Sequence, residues 1–160
     1  ISLDDPNARG GDIQLPDGSF VKRLPSFRRW IWDDGFCGSV QLRWQYGTNA
    51  LPPTCLGHIG YAVVPWRRRE GLATAALGAL LPETRRTGLT FVDLTTDPGN
   101  RASSRVIEKN GGLLVERRGK VTGRRAARRE HVISTPGCQQ AGQCRVARRR
   151  SPRPKPAVSF

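Results

Sequence analysis

The sequence predicts a layered α/β or α+β domain built on a mixed sheet, and three observations carry that expectation. Two aromatic and β-branched runs flank the turn residues Asp33-Asp34-Gly35, as in a hairpin. An apolar run, Gly57 to Val64, passes through a basic turn into an alanine- and leucine-rich helix, and another apolar run follows. A second, capped helix then leads into one more strand-like run.

Taken in order, residues 1–26 are rich in Asp, Gly, Pro and Asn and read as an irregular amino-terminal segment, with a short extended piece at Phe20-Val21. Phe27 to Asp33 (FRRWIWD) is a strand by its aromatic content, and Phe36 to Tyr46 (FCGSVQLRWQY) is the returning strand. Two prolines and an asparagine make 47–56 a loop, and Gly57 to Val64 is the third strand. Leu72 to Arg86 carries apolar residues at 72, 76, 77, 80 and 81, which is one face of a helix. Pro82 removes a helical hydrogen bond and crowds the preceding turn, predicting a kink near Leu81, and Gly88 ends the element. Leu89 to Thr95 (LTFVDLT) is a strand of the buried type, and Asp97-Pro98-Gly99 is a turn. Asn100 caps a helix to about Lys109, with Ala102, Val106 and Ser103 inward and Arg101, Arg105 and Lys109 toward water. Leu113 to Arg117 is the next strand, and Arg128 to Ser134 is a candidate partner whose pattern is poor. The domain is therefore expected at 27–134. Residues 135–160, dominated by Pro, Gly, Gln and Arg and ending near RRRSPRPKP, read as a basic, disordered tail.

The formal charge of +14 suggests nucleic acid at first sight, but its distribution decides otherwise. Residues 1–116 carry 14 basic and 12 acidic side chains, whereas 117–160 carry 13 basic and one acidic, Glu130. Any binding to nucleic acid or an anionic surface is thus a property of the tail. No helix-turn-helix or RNA-binding signature supports it in the core. No apolar run approaches the roughly 18 residues of a membrane span, and no signal peptide is evident, so free thiols and a cytoplasmic location are the expectation. Cys138 and Cys144, spaced C-x5-C with His131 nearby, fit no common zinc pattern, and no metal is expected. The chain lacks methionine and starts at Ile1, which reads as processing or as a piece of a longer reading frame.

The chemistry concentrates where the third strand meets the helix. Arg67-Arg68-Arg69 leads into Gly71-Leu72-Ala73, and the first amides of a helix have no internal partners. A strand that hands a basic, small-residue turn to a helix start is an anion site. It is neither a Walker A loop, since no Gly-Lys-Ser/Thr follows, nor a G-x-G-x-x-G fingerprint.

Two stretches together resemble the GNAT superfamily of acetyl-coenzyme-A-dependent N-acetyltransferases. GHIGYAVVPWRRREGLATAAL looks like its motif A, with Arg68-x-x-Gly71-x-Ala73, and TTDPGNRASSRVIEKNGG looks like its motif B. The resemblance covers about 27–117. It implies a mixed, mostly antiparallel sheet flanked by helices, with central strands splayed by a bulge near Val63-Val64, and an amino end truncated relative to the family. It implies transfer of acetyl from acetyl-CoA to a primary amine by direct attack, through a tetrahedral intermediate and without a metal. Val63 and Val64 would meet the pantetheine arm, with the Val63 N–H as oxyanion donor. Arg68 and the backbone of Arg69, Glu70, Gly71, Leu72, Ala73 and Thr74 would hold the pyrophosphate. Asn100 and Ser103 would border the thioester. His58 is the candidate base, Asp93 a second, with water as the alternative to both. Many family members place a tyrosine acid in the motif B helix where this chain has Ile107, so Ser103 or water would substitute. The acceptor would be a small-molecule or peptide amine, and a homodimer is compatible with the resemblance. The competing readings are a basic-tail binder of nucleic acid or anionic surfaces, and a CoA-binding but inactive remnant.

Overall fold

A computed structural model describes residues 6–9, 11–118 and 128–134. A two-residue hairpin, β1 (Ile13–Gln14) and β2 (Phe20–Val21), precedes β3 (Ser26–Trp32) and β4 (Phe36–Arg43). Then come β5 (Ile59–Val63), α1 (Leu72–Thr84), β6 (Phe91–Thr96), α2 (Arg101–Lys109), β7 (Leu113–Arg118) and β8 (Arg128–Ser134). The tail at 135–160, with Cys138 and Cys144, lies outside the described residues.

The strands form two antiparallel sheets of three, ordered β3-β4-β5 and β6-β8-β7, splayed apart between β5 and β6. β8 occupies the middle of the second sheet and pairs with both neighbours, although its sequence pattern is weak. The sheets meet at one short crossing. Gly57 bridges Leu94, the His58 N–H donates to the Asp93 carbonyl at 2.8 Å, and the Thr95 hydroxyl donates to the Leu56 carbonyl at 2.6 Å. Gly57 is required there, because its φ is +105° and a Cβ would lie 2.8 Å from the Asp93 carbonyl oxygen.

The splay is present without the bulge expected at Val63-Val64. The β4–β5 register is regular from Leu42↔Ile59 to Gly38↔Val63, and the irregularities fall instead in the β3–β4 pairing, where Cys37 of β4 is the extra residue opposite Ile31 and Trp32, and in β7, where Val115 is. β5 touches β6 at the His58 crossing and diverges from it beyond that point. The regular register also decides where the backbone groups of β5 point. Val64 donates to the Cys37 carbonyl, and Arg43 donates to the His58 carbonyl. In an antiparallel ladder the bonded pairs alternate, so the N–H groups of Ile59, Tyr61 and Val63 face away from β4, toward the opening.

Five apolar positions of α1 face the core, namely Leu72, Ala76, Leu77, Leu80 and Leu81. They join one cluster with Ile31, Val40, Leu42 and Ile59 of the first sheet and Val92 and Leu94 of β6. Each such leucine contributes about 1.5–3 kcal/mol by leaving water. Pro82 sits inside the helix, which continues to Thr84 and then tightens into a 3₁₀ turn over Arg85–Thr87, ended by Gly88 at φ +82°. On α2 the buried residues are Ser104 and Ile107, whereas Ala102, expected inward, is exposed. The buried stripe of α2 runs through Ser104 and Ile107, three residues apart on one face, and residue 102 lies off it.

The two helices are tied together by Asn110. Its side-chain N–H₂ donates to the Thr74 carbonyl of α1 at 3.2 Å and to the Val106 carbonyl of α2 at 2.9 Å. Asn110→Ala is expected to lower stability by about 1–3 kcal/mol, because two partly buried carbonyls lose their donor. Denaturant titration checks this, and an unchanged midpoint would show the tie to be idle.

Candidate active site

A cleft of about 1010 Å³ lies between the end of β5, the turn and the start of α1 on one side and α2 on the other. That is the upper end of the roughly 300–1,000 Å³ that takes a small molecule. Most of the residues singled out from the sequence line it. Val63 and Arg68 come from the first wall, followed by Arg69 and Gly71 through Thr74, and Asn100 and Ser103 face them from α2.

The turn is shaped by two left-handed residues, Arg69 at φ +69° and Gly71 at φ +84°. Gly71 is the N-cap of α1 and has no side-chain cap, so the first helical amides are left to whatever occupies the cleft. The three arginines are not equivalent. Arg67 is engaged by the Asp33 carboxylate at 2.7 Å and the Glu70 carboxylate at 2.9 Å, and the bonds to Glu70 and Asp33 raise its pKa. Arg68 donates through Nε to the Val63 carbonyl at 3.1 Å and presents the rest of its guanidinium to the cleft.

Two residues expected at the ligand are otherwise occupied. The Glu70 carboxylate is exposed and paired with Arg67, and the Val64 N–H is bonded to β4. Neither residue lines the cleft. In contrast, Val63 has its carbonyl taken by Arg68 but its N–H directed into the opening.

His58 stands apart from the cleft. Its side chain is fully buried at the sheet crossing, and its Nδ1 accepts the Asp93 backbone N–H at 3.0 Å. That bond places the ring proton on Nε2. Burial pushes the His58 pKa down from 6.5 to about 4, a shift opposed by the Asn49 backbone and reinforced by the Arg43 charge. The residue is a neutral backbone mimic that completes β6 where β5 leaves it. The Asp93 carboxylate, 3.9 Å from Nδ1, belongs to the same crossing. The depressed pKa sets a sign: unfolded histidine binds a proton that the folded ring refuses between about pH 6.5 and 4. Stability is therefore expected to fall by about 3 kcal/mol as pH drops through that window, and His58→Gln to flatten the dependence. Denaturant midpoints at a series of pH values check this. An equal acid slope in the variant would assign it to other groups.

On α2, Asn100 caps its own helix, its Oδ1 accepting the Ser103 N–H at 3.0 Å. Ile107 is fully buried and cannot reach the cleft. Tyr61, which the sequence did not single out, does reach it. Its hydroxyl lies 2.6 Å from Ser103 Oγ and 3.2 Å from the Ser103 carbonyl, bridging the two walls. A signal was available, because strand alternation puts Tyr61 on the same face as Val63. Among the described residues no three His, Cys, Asp or Glu side chains come together as a metal site, and Cys37 and Cys55 are free thiols. Nor is any helix there long and apolar enough to cross a membrane.

The model of the acetyltransferase (GNAT) domain matches residues 20–112. The chain belongs to the GNAT acetyltransferase family. Solved GNAT structures share its fold. RimJ of Mycobacterium smegmatis, solved with a CoA disulfide, superposes with a TM-score of 0.56 at 24% identity, covering 72% of this chain and 56% of that one. yncA of Salmonella typhimurium, solved with acetyl-CoA, gives 0.53 at 17% identity, with 76% and 70% covered. A spermidine N-acetyltransferase chimera from Vibrio cholerae SpeG and hSSAT gives 0.55 at 15%, with 69% and 67% covered. The chain thus spans little more than half the length of RimJ. Among curated proteins nothing matches it.

Proposed function

We propose that this GNAT protein is an N-acetyltransferase that moves acetyl from acetyl-CoA to a primary amine. One observation carries the reading: the Tyr61 and Val63 amides, turned away from β4, and the uncapped start of α1 share a single cleft with Asn100 and Ser103. An acetyl-CoA donor fits those parts in turn. Arg68 and the amides of Arg69 and of Gly71 to Thr74 would hold the pyrophosphate, as a helix start holds anions. Tyr61 and Val63 would offer backbone N–H groups to the pantetheine amides, in the manner of an added strand. The Val63 N–H would stabilise negative charge developing on the acetyl oxygen. The proton lost by the attacking amine would pass to water, because His58 is sealed at the sheet crossing. Glu70 and Val64 contribute through chain geometry, Glu70 by fixing Arg67 and Val64 by anchoring β5 to β4.

A primary amine, on a small molecule or a peptide, is favoured as acceptor because the structural neighbours include a spermidine acetyltransferase and a ribosomal-protein α-N-acetyltransferase. The test is direct. Acetyl-CoA is expected to raise the melting temperature, to bind in calorimetry, and to release free thiol with at least one class in a panel of polyamines, aminoglycosides and peptides. Binding without turnover across the panel would mark a CoA-binding remnant. Absence of binding would sink both readings.

A further inference from the structure

We propose that Tyr61 is the catalytic acid that protonates the departing thiolate, held in place by the Ser103 hydroxyl. The assignment rests on the acetyl-transfer reading and extends it to a residue on the wall opposite α2. Three observations carry it. The phenol lines the cleft and meets Ser103 at 2.6 Å, at the end where the Val63 N–H opens. Ile107, on α2, has no proton to give and is buried in the core. Lys109 lies six residues past Ser103, about 9 Å along the helix.

The chemistry separates the two hydroxyls that meet. A thiol near pKa 8.5 and a phenol near 10 are close enough for efficient proton transfer, whereas an aliphatic hydroxyl is a far weaker acid. Burial raises the Tyr61 pKa, with the Ser103 hydrogen bond opposing, so the phenol keeps its proton at neutral pH. The charged groups sharing the cleft are Arg67, Arg68 and Arg69 from the turn and Arg101, Arg105 and Lys109 from α2, while the start of α1 contributes none. Their positive field steadies the phenolate while it exists. In the step itself the amine nitrogen bonds to the acetyl carbon and the carbon–sulfur bond breaks. The sulfur keeps that electron pair and takes the Tyr61 proton. The phenolate is reprotonated by solvent, which has received the proton the amine lost. The balance is amine plus thioester to amide plus thiol.

Tyr61→Phe is expected to lower kcat about 100-fold, while the Kd for acetyl-CoA stays within about threefold. Ser103→Ala should lower kcat less, about tenfold, because the phenol survives but is less well placed. The reverse order would give the acid's role to Ser103 and overturn the assignment, as would a Tyr61→Phe enzyme at full kcat. A second measurement avoids turnover. The chain has two tyrosines, so in Tyr46→Phe the near-ultraviolet phenolate signal reports Tyr61 alone. CoA, whose thiolate would sit beside the phenol, should move that titration to higher pH, and desulfo-CoA should not. Equal effects of the two ligands would remove Tyr61 from the thiol. If the wild-type protein acetylates no amine yet CoA alone produces the shift, the acetyl-transfer reading fails and the Tyr61 contact stands.

Discussion

Gly71→Glu is expected to weaken acetyl-CoA binding at least about 100-fold while the protein stays folded. Gly71 is the N-cap of α1 at φ +84°, and a Cβ built on it meets nothing within 4 Å. The substitution therefore costs only the left-handed backbone, about 1–2 kcal/mol. A carboxylate at a helix start even favours the helix, because it complements the dipole. What it cannot accommodate is a second anion at the same amides. Gly71→Ala carries the same backbone strain without the charge and should bind within about threefold of the parent, once the fold is intact. Calorimetry on both variants makes the comparison, and a Glu variant with parental affinity would place the pyrophosphate somewhere other than this turn.

Gly38→Val is expected to destabilise the domain by more than about 4 kcal/mol, a large share of a domain's stability. Gly38 faces Val63 in the β4–β5 ladder, and a Cβ there would overlap the Ala62 carbonyl oxygen. It would also lie 3.0 Å from Val63 Cα, at a φ of +154°. The obstacle is the backbone of β5, so nothing can rotate out of the way. Relief requires shifting β5, which carries Tyr61 and Val63 into the cleft. Gly60, on the same strand, gives the contrast. A Cβ there meets only the Arg43 guanidinium at 3.3 Å, the far end of a flexible side chain. Gly60→Ala should cost less than about 1 kcal/mol. Denaturant midpoints for the pair decide the matter, and equal costs would mean that the close approach at Gly38 carries no stability.

Much of this arrangement was legible in the residues. The hairpin around Asp33-Asp34-Gly35, the helix at 72 with its five core positions, and the Asn100 cap all follow from local rules, and the structure has each of them. The basic turn and the capped helix could be recognised as a pair because their spacing in sequence brings them together across the cleft. What local rules could not show were the nonlocal choices. Gly57 and His58 look like ordinary strand residues, and only their contact with Asp93 and Leu94 makes them the point where the sheet divides. Titration chemistry drew attention to His58 as a base, whereas burial makes it structural. Arg128–Ser134 has little strand pattern of its own and is held by neighbours on both sides. Tyr61 was hidden because its partner, Ser103, lies 42 residues later.

The central place of β8 has a consequence for the order of biosynthesis. Every residue that lines the cleft falls between Tyr61 and Lys109, and the strand that closes the second sheet ends at Ser134. At about 5–20 residues per second, a ribosome completes the cleft roughly 1–5 s before it releases the last strand. During that interval β6 keeps an unpaired edge and β7, whose ladder is made with β8, has no strand to pair with, so both can pair with another extended chain. A chain halted between the two points would carry its ligand-binding parts beside an open sheet. Ligand captured by the nascent protein would then stabilise half a fold while the other half still awaits its middle strand.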